Sequence, residues 1–180
     1  GVFVLRIEDT DLERSDPKYE QEIIDGFKWL GIDWDEGPIA EAAQNQKSKI
    51  KNQKYIGKFG PYRQSERLEI YDKFLNQLLN EKKAYFCYCT KEELDGDRKL
   101  QLSSGLQTKY SGKCRDLILA PKDKAPEIIR FKVEEKIIEF NDLIRGKISF
   151  DTKLIGDIAI AKVLPTGFST LYNFAVTVDD

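Results

Sequence analysis

Two groups of side chains in this sequence have types and spacings that can do chemistry. Glu8, Asp9 and Asp11 follow directly on the apolar run Val2-Phe3-Val4-Leu5-Arg6-Ile7, and Asp179 and Asp180 close a second run, Leu171 to Val178. If these runs are strands of an open parallel sheet, ligands bind beyond their carboxyl ends. Carboxylates there accept hydrogen bonds from an ammonium group or coordinate Mg²⁺. The same residues can equally cap the next helix and balance its dipole. The second group is Cys87, Cys89 and Cys114. Cys87 and Cys89 are two apart, so on a strand they share a face. Zinc takes four ligands, and three thiolates leave one position for Tyr110 or Asp116, which flank Cys114. Three free thiols are the alternative.

Other chemistries are excluded. The 180 residues contain no histidine and no methionine. That removes a Ser-His-Asp triad, a His-Glu-x-x-His metalloprotease site and any histidine general base from this stretch of chain. Neither common Gly-rich phosphate loop is present. Without methionine, residue 1 is not a translation start, and Gly1 leads straight into a strand pattern. The chain therefore reads as an internal piece of something longer. An odd count of three cysteines suits a reducing compartment better than a disulfide framework. No apolar run approaches the ~18 residues of a membrane span, and no signal-peptide pattern opens the chain. A cytoplasmic protein without membrane contact is the expectation.

The charge is nearly balanced, 29 Lys+Arg against 31 Asp+Glu, but unevenly placed. Residues 1 to 41 carry twelve acidic and four basic side chains, whereas residues 42 to 65 carry six basic ones (Lys47, Lys49, Lys51, Lys54, Lys58, Arg63) and none acidic. Tyr55, Phe59 and Tyr62 interleave with these, a composition suited to phosphate contact and base stacking, or simply to a solvated loop.

The elements that must position these groups follow from periodicity. The first run reads as a strand buried on both faces. A helix follows, with Ser15 or Asp16 as N-cap, Pro17 at its first position, apolar residues from Tyr19 to Leu30, and Gly31 at its end. Ser65 is expected to cap a second helix bearing Leu68, Tyr71, Phe74, Leu75, Leu78 and Leu79. Ala84 to Cys89 reads as a strand, and Thr90-Lys91-Glu92-Glu93 as a capping box opening a helix. Strands are expected at 128–133, 137–140, 147–150 and 157–163, with 171–178 as a final strand that rejoins the first sheet.

Several segments, in order, resemble the catalytic domain of the glutamyl-tRNA synthetase family. They are Leu5-Arg6-Ile7-Glu8-Asp9-Thr10-Asp11, Lys28 to Pro38, Gly60-Pro61-Tyr62-Arg63-Gln64-Ser65-Glu66-Arg67, Ala84 to Thr90, Ile144-Arg145-Gly146, and Tyr172 to Val176 with Asp179-Asp180. The resemblance implies a class I, Rossmann-type parallel sheet interrupted by an inserted α+β domain that binds the tRNA acceptor stem. Residues 1–83 would begin the catalytic domain, 84–168 form the insert, and 169–180 return as a strand. The implied activity is ATP-dependent conversion of L-glutamate to glutamyl-adenylate, then transfer to the 3′ end of tRNA(Glu), with Mg²⁺ accompanying ATP. Such chemistry rests on positioning and charge stabilisation, with no histidine base.

Carried over by residue, Glu8 would hold the substrate's α-amino group and Tyr172 would line the same pocket. Thr10, Asp11 and Arg14 would lie near the acceptor end of tRNA. Some relatives bind zinc through Cys-x-Cys and a later Cys-x-His, and a shorter relative uses Cys-x-Cys, Tyr and Cys. Here Asp116 stands at the histidine position of the first pattern, while Tyr110-x-x-x-Cys114 fits the second. The family's two ATP-handling motifs fall outside residues 1 to 180, so no catalytic residue is assigned and this piece alone is expected to be inactive. About a dozen residues between Pro38 and Gly60, including the lysines, are additional to the family pattern; a contact with tRNA backbone is the expectation there. The full-length protein is expected to be a monomer. A glutamyl-Q tRNA(Asp) synthetase-like enzyme, or a non-catalytic RNA-binding fragment, are the alternatives.

Overall fold

A computed structural model describes residues 1–11, 14–39 and 54–180. They form two compact units, Gly1–Tyr71 and Asp72–Asp180. The fold is α/β with several small sheets.

In the first unit the opening run is extended. Leu5 and Ile7 are buried while Val2, Phe3 and Val4 are exposed. It is pinned by backbone hydrogen bonds from Leu5 N–H to Glu36 O and from Ile7 N–H to Tyr62 O, both 2.8 Å. Parallel pairing is limited to single bridges, Val4 to Glu36 and Ile7 to Arg63. The expected strand, buried on both faces, is therefore a two-bridge connection. Its partner segments run into Gly37-Pro38 and Gly60-Pro61, and proline offers no N–H to extend a ladder. Instead β1 (Gly37–Pro38) pairs antiparallel with β2 (Tyr55–Ile56). Gly37 is required where it is, since its φ is +152° and a Cβ would sit 2.8 Å from the Leu5 carbonyl oxygen.

Helix α1 (Pro17–Trp29) starts as its sequence dictates, with the Asp16 carboxylate accepting from Lys18 N–H and proline at the first turn. Gly31, at φ +69°, ends it. Its inner face buries Ile24 and sets Phe27 edge-on to Phe3 and Trp34, at 5.8 and 6.0 Å. Ser65 does not cap the second helix. It lies in a 3₁₀ turn, Gln64–Glu66, and gives its hydroxyl and backbone N–H to Asp9, at 2.6 and 2.8 Å. Helix α2 (Leu68–Asn80) begins only after that turn and crosses from the first unit into the second.

The second unit is built on an antiparallel sheet of order β3-β4-β7-β8: Ala84–Cys87, Ile128–Phe131, Ile158–Leu164 and Gly167–Thr170. Cys87, Ile129 and Ala161 are wholly buried in it. A bulge interrupts the β4–β7 register between Ile129 and Arg130. A separate hairpin, β5 (Ile137–Asp142) and β6 (Gly146–Asp151), stacks Phe140 on Phe150 at 6.2 Å. Helix α3 (Lys91–Ser103) opens with the expected capping box. Thr90 Oγ1 accepts from Glu93 N–H at 3.3 Å, and the Glu93 carboxylate accepts from Thr90 N–H at 2.8 Å.

The end of the chain differs from expectation. Residues 172–179 form helix α4 (Tyr172–Asp179), not a strand, and it packs on β7. The run is β-branched and aromatic, which favours a strand by local propensity. Tertiary context overrides it: Leu171 N–H bonds to Ile160 O at 2.9 Å, and the next turn closes as Ala175 N–H to Leu171 O at 3.1 Å, burying Phe174 and Ala175. Asp179 and Asp180 thus end a helix rather than a strand.

The capping box should contribute measurably, because α3 buries none of its residues. Thr90→Ala is expected to cost about 1 kcal/mol, read as a lowered urea midpoint for the second unit against wild type.

Candidate functional site

The acidic residues after the first run separate into different roles. Because Leu5 and Ile7 turn inward, Arg6 and Glu8 project from the opposite side of the extended segment. Both line a cavity of about 630 Å³ in the first unit, to which Leu5, Ile7, Asp9, Arg14, Tyr19 and Ile23 also contribute. The Arg6 guanidinium donates to Glu8 Oε1 at 3.2 Å. Asp9 is committed to Ser65. Asp11 accepts from Arg14 Nε and Nη2, each at 2.6 Å, on the exposed rim. Thr10 lies between them in the same turn. Tyr172, the first residue of α4, belongs to the second unit and is half-exposed. The Lys-rich stretch expected to meet RNA lies largely outside the described residues; of it, Lys54 pairs with Glu66 at 3.2 Å.

Beneath the cavity runs a dense polar network. Arg63 grips Glu20 through two nitrogens, at 2.8 and 2.5 Å, and donates to the Tyr55 hydroxyl at 2.9 Å. Tyr55 in turn donates to Glu66 at 2.6 Å. Burial, reinforced by this bond to Glu66, pushes the Tyr55 phenol up to about 12, while the Glu20 carboxylate raises the Arg63 guanidinium further. Tyr62 donates to Glu36, and that bond holds the Glu36 carboxyl below its ordinary value. This network fixes the segment 62–66 against which the first run is pinned.

The three thiols converge. The Sγ atoms of Cys87, Cys89 and Cys114 lie within 4.8 Å of one another, all buried, with Cys89 and Cys114 3.7 Å apart. The Tyr110 hydroxyl lies 3.4 Å from Cys87 Sγ and 3.6 Å from Cys89 Sγ, and accepts from Cys114 N–H at 2.9 Å. Asp116 is outside the cluster: its side chain is 86% exposed and its nearest cation is Lys132, at 3.9 Å. Of the two candidates for a fourth position, the fold brings in Tyr110. Burial dominates the acidities. It pushes the Cys89 thiol up to about 12 and the Tyr110 phenol well above its usual range. Burial also opposes ionisation of Cys87, but its hydrogen bonds with Tyr110 and Arg130 outweigh it and hold that thiol below its ordinary value.

What sets this geometry includes residues that the sequence did not single out. Asp97 and Gln101, four apart on one face of α3, fasten the segment bearing Tyr110 and Cys114. Asp97 binds Ser111 and Lys113, and Gln101 exchanges two 2.9 Å hydrogen bonds with the Lys109 backbone. Arg130 lies over the Tyr110 ring, 3.8 Å from its centroid. Asp157, wholly enclosed, accepts from Tyr85 Oη at 2.7 Å, from Val133 N–H at 2.9 Å and from Arg115. The i, i+4 spacing of Asp97 and Gln101 is visible in the sequence; the convergence on Asp157 from positions 42 and 72 residues away is not.

The residues fit zinc. At a Zn–S distance of about 2.3 Å, tetrahedral ligands stand about 3.8 Å apart, close to the Cys89–Cys114 separation. A phenol oxygen already faces the thiols.

Both groups of residues lie in a chain matched over residues 1–180 by the family described as tRNA synthetases class I (E and Q), catalytic domain, and the chain belongs to that family. Its relatives bear a more particular name. Glutamate–tRNA ligase of Sulfurihydrogenibium sp. is 45% identical over 187 residues, and glutamate–tRNA ligase 2 of Caldanaerobacter subterraneus is 47% identical over 187 residues. The alignments cover the whole of this chain and 35% of each relative. The crystal structure of a glutamate tRNA ligase from Elizabethkingia meningosepticum, in complex with its amino acid, superposes with a TM-score of 0.74 at 33% identity, again over the whole chain and 35% of the other. The chain therefore spans about a third of the length of its relatives. Among the described residues, no helix is long and apolar enough to cross a membrane.

Asp157 yields a sharp test of how the cluster is held. Asp157→Ala leaves the Tyr85 hydroxyl, the Val133 N–H and the Arg115 guanidinium without their acceptor. A loss of about 3 kcal/mol is expected, measured by urea unfolding.

Proposed function

We propose that this chain is part of a glutamate–tRNA ligase, which uses ATP with Mg²⁺ to activate L-glutamate and transfers the glutamyl group to the 3′ end of tRNA(Glu). The observation that carries this is the match of all 180 residues to one synthetase family, together with relatives named for that activity. In this reading residues 1–83 belong to a Rossmann-type catalytic domain and residues 84–168 to an insert that binds the tRNA acceptor stem. The protein works in the cytoplasm as a monomer.

Glu8 holds the α-amino group of glutamate. A carboxylate at the end of a pinned extended segment, facing a cavity large enough for an amino acid, supports that role. Tyr172 is a second substrate contact, and Thr10, Asp11 and Arg14 lie near the tRNA acceptor end. The reaction needs no base from this chain; its side chains bind and orient. In the full-length protein, glutamate-dependent ATP–pyrophosphate exchange in the presence of tRNA is expected, with charging of tRNA(Glu). Transfer to tRNA(Asp) instead would favour the shorter glutamyl-Q type of enzyme, and no exchange at all would favour a non-catalytic RNA-binding protein. Glu8→Ala should raise the glutamate KM on the order of 10²-fold; an unchanged value removes Glu8 from the site.

Cys87, Cys89, Cys114 and Tyr110 hold one zinc ion, which when bound supplies structural cross-linking rather than Lewis-acid chemistry, since all four positions are filled by protein. Metal analysis of the purified protein should return close to one zinc per chain. Tyr110→Phe should weaken retention against a chelator, and Asp116→Asn should leave it unchanged. The reverse pattern would move the fourth ligand to Asp116.

A further inference from the structure

We infer that Arg6 is a positioning residue for Glu8, fixing one carboxylate oxygen so that the other is presented to the substrate's ammonium group; this rests on the reading of Glu8 given above. The backbone forces the pair into register. Leu5 and Ile7 are held by hydrogen bonds to Glu36 and Tyr62, so Arg6 and Glu8, two apart, share one side of the extended segment, and both line the cavity. The contact is one-pointed, Arg6 Nη2 to Glu8 Oε1 at 3.2 Å. Among the described residues, Glu8 Oε2 has no hydrogen-bond partner. A glutamate side chain without such a tether spreads over many rotamers, and ordering it on binding costs affinity. The pair is partly exposed, with side chains 22% and 36% accessible, so the ion pair itself adds little to folding. Its effect therefore belongs to substrate binding.

The test uses the full-length protein and glutamate-dependent ATP–pyrophosphate exchange in the presence of tRNA. Arg6→Gln should raise the glutamate KM about ten-fold, leaving the ATP KM unchanged. Arg6→Lys should restore it to within about three-fold of wild type, because charge and reach are largely kept. In a Glu8→Gln background, Arg6→Gln should add less than about two-fold, since the residue it positions is already disabled. Should Arg6→Gln not fold, Arg6→Met keeps the aliphatic stem and carries the same expectation. An unchanged glutamate KM, an equal rise in the ATP KM, or an undiminished effect in the Glu8→Gln background would each overturn the inference. A Glu8→Gln variant with normal glutamate KM would remove the reading of Glu8 itself, and this inference with it. A damaged Glu8→Gln beside a normal Arg6→Gln removes only the role of Arg6.

Discussion

The second unit depends on a single enclosed carboxylate. Asp157 precedes β7, and its oxygens receive a hydroxyl from β3, a backbone N–H from the segment after β4 and a guanidinium from the loop that follows Cys114. Removing a carboxylate from water is expensive unless each lone pair finds a donor. Here the donors come from separate stretches of chain, so satisfying Asp157 requires those stretches to arrive together. The thiol cluster is a by-product of that demand. Once Arg115 is drawn to Asp157, Cys114 beside it is delivered to Cys87 and Cys89, and Arg130 seats Tyr110 over the gap.

The first unit sorts its carboxylates by a different rule. Asp9 and Asp11 are spent on local order, one holding the 3₁₀ turn at Ser65 and the other clasping Arg14. Glu8 immediately precedes them in sequence and lines the cavity with one carboxylate oxygen tied to Arg6. Three neighbouring acids of similar chemistry are thereby given a cap, a rim contact and an open site. Backbone pinning at Leu5 and Ile7 makes the distinction, not side-chain acidity.

Much of this was legible in the sequence wherever the signal was local. The Asp16-Pro17 start of α1 and the Thr90–Glu93 capping box rest on contacts a few residues long and occur where those contacts direct, and β4 to β7 occur close to the runs of strand-favouring side chains that announce them, although β4 pairs with strands tens of residues away. The failures share a cause. Residues 171–178 carry strand-favouring side chains, yet a hydrogen bond to Ile160 and burial against β7 make them a helix. Ser65 resembles a cap, but a carboxylate 56 residues away claims it. The choice between Tyr110 and Asp116 was undecidable from spacing, since both flank Cys114; Arg130 and the Cys114 N–H, which draw the phenol inward, come from the folded chain.

Helix α3 gives the cluster an unusual doorway. It follows directly on Cys89 and buries no residue fully, so its attachment rests on its first-turn cap, on the polar clasps of Asp97 and Gln101, and on the partly buried Leu94 packed against the thiols. Segments held by exposed hydrogen bonds open with far smaller free energies than the core they border. The sheet beneath, with Cys87 and Ile129 fully enclosed, belongs to the stable end of that range. Exchange of anything held by the sulfurs would therefore be timed by the breathing of one peripheral helix, while the strand that carries Cys87 stays shut.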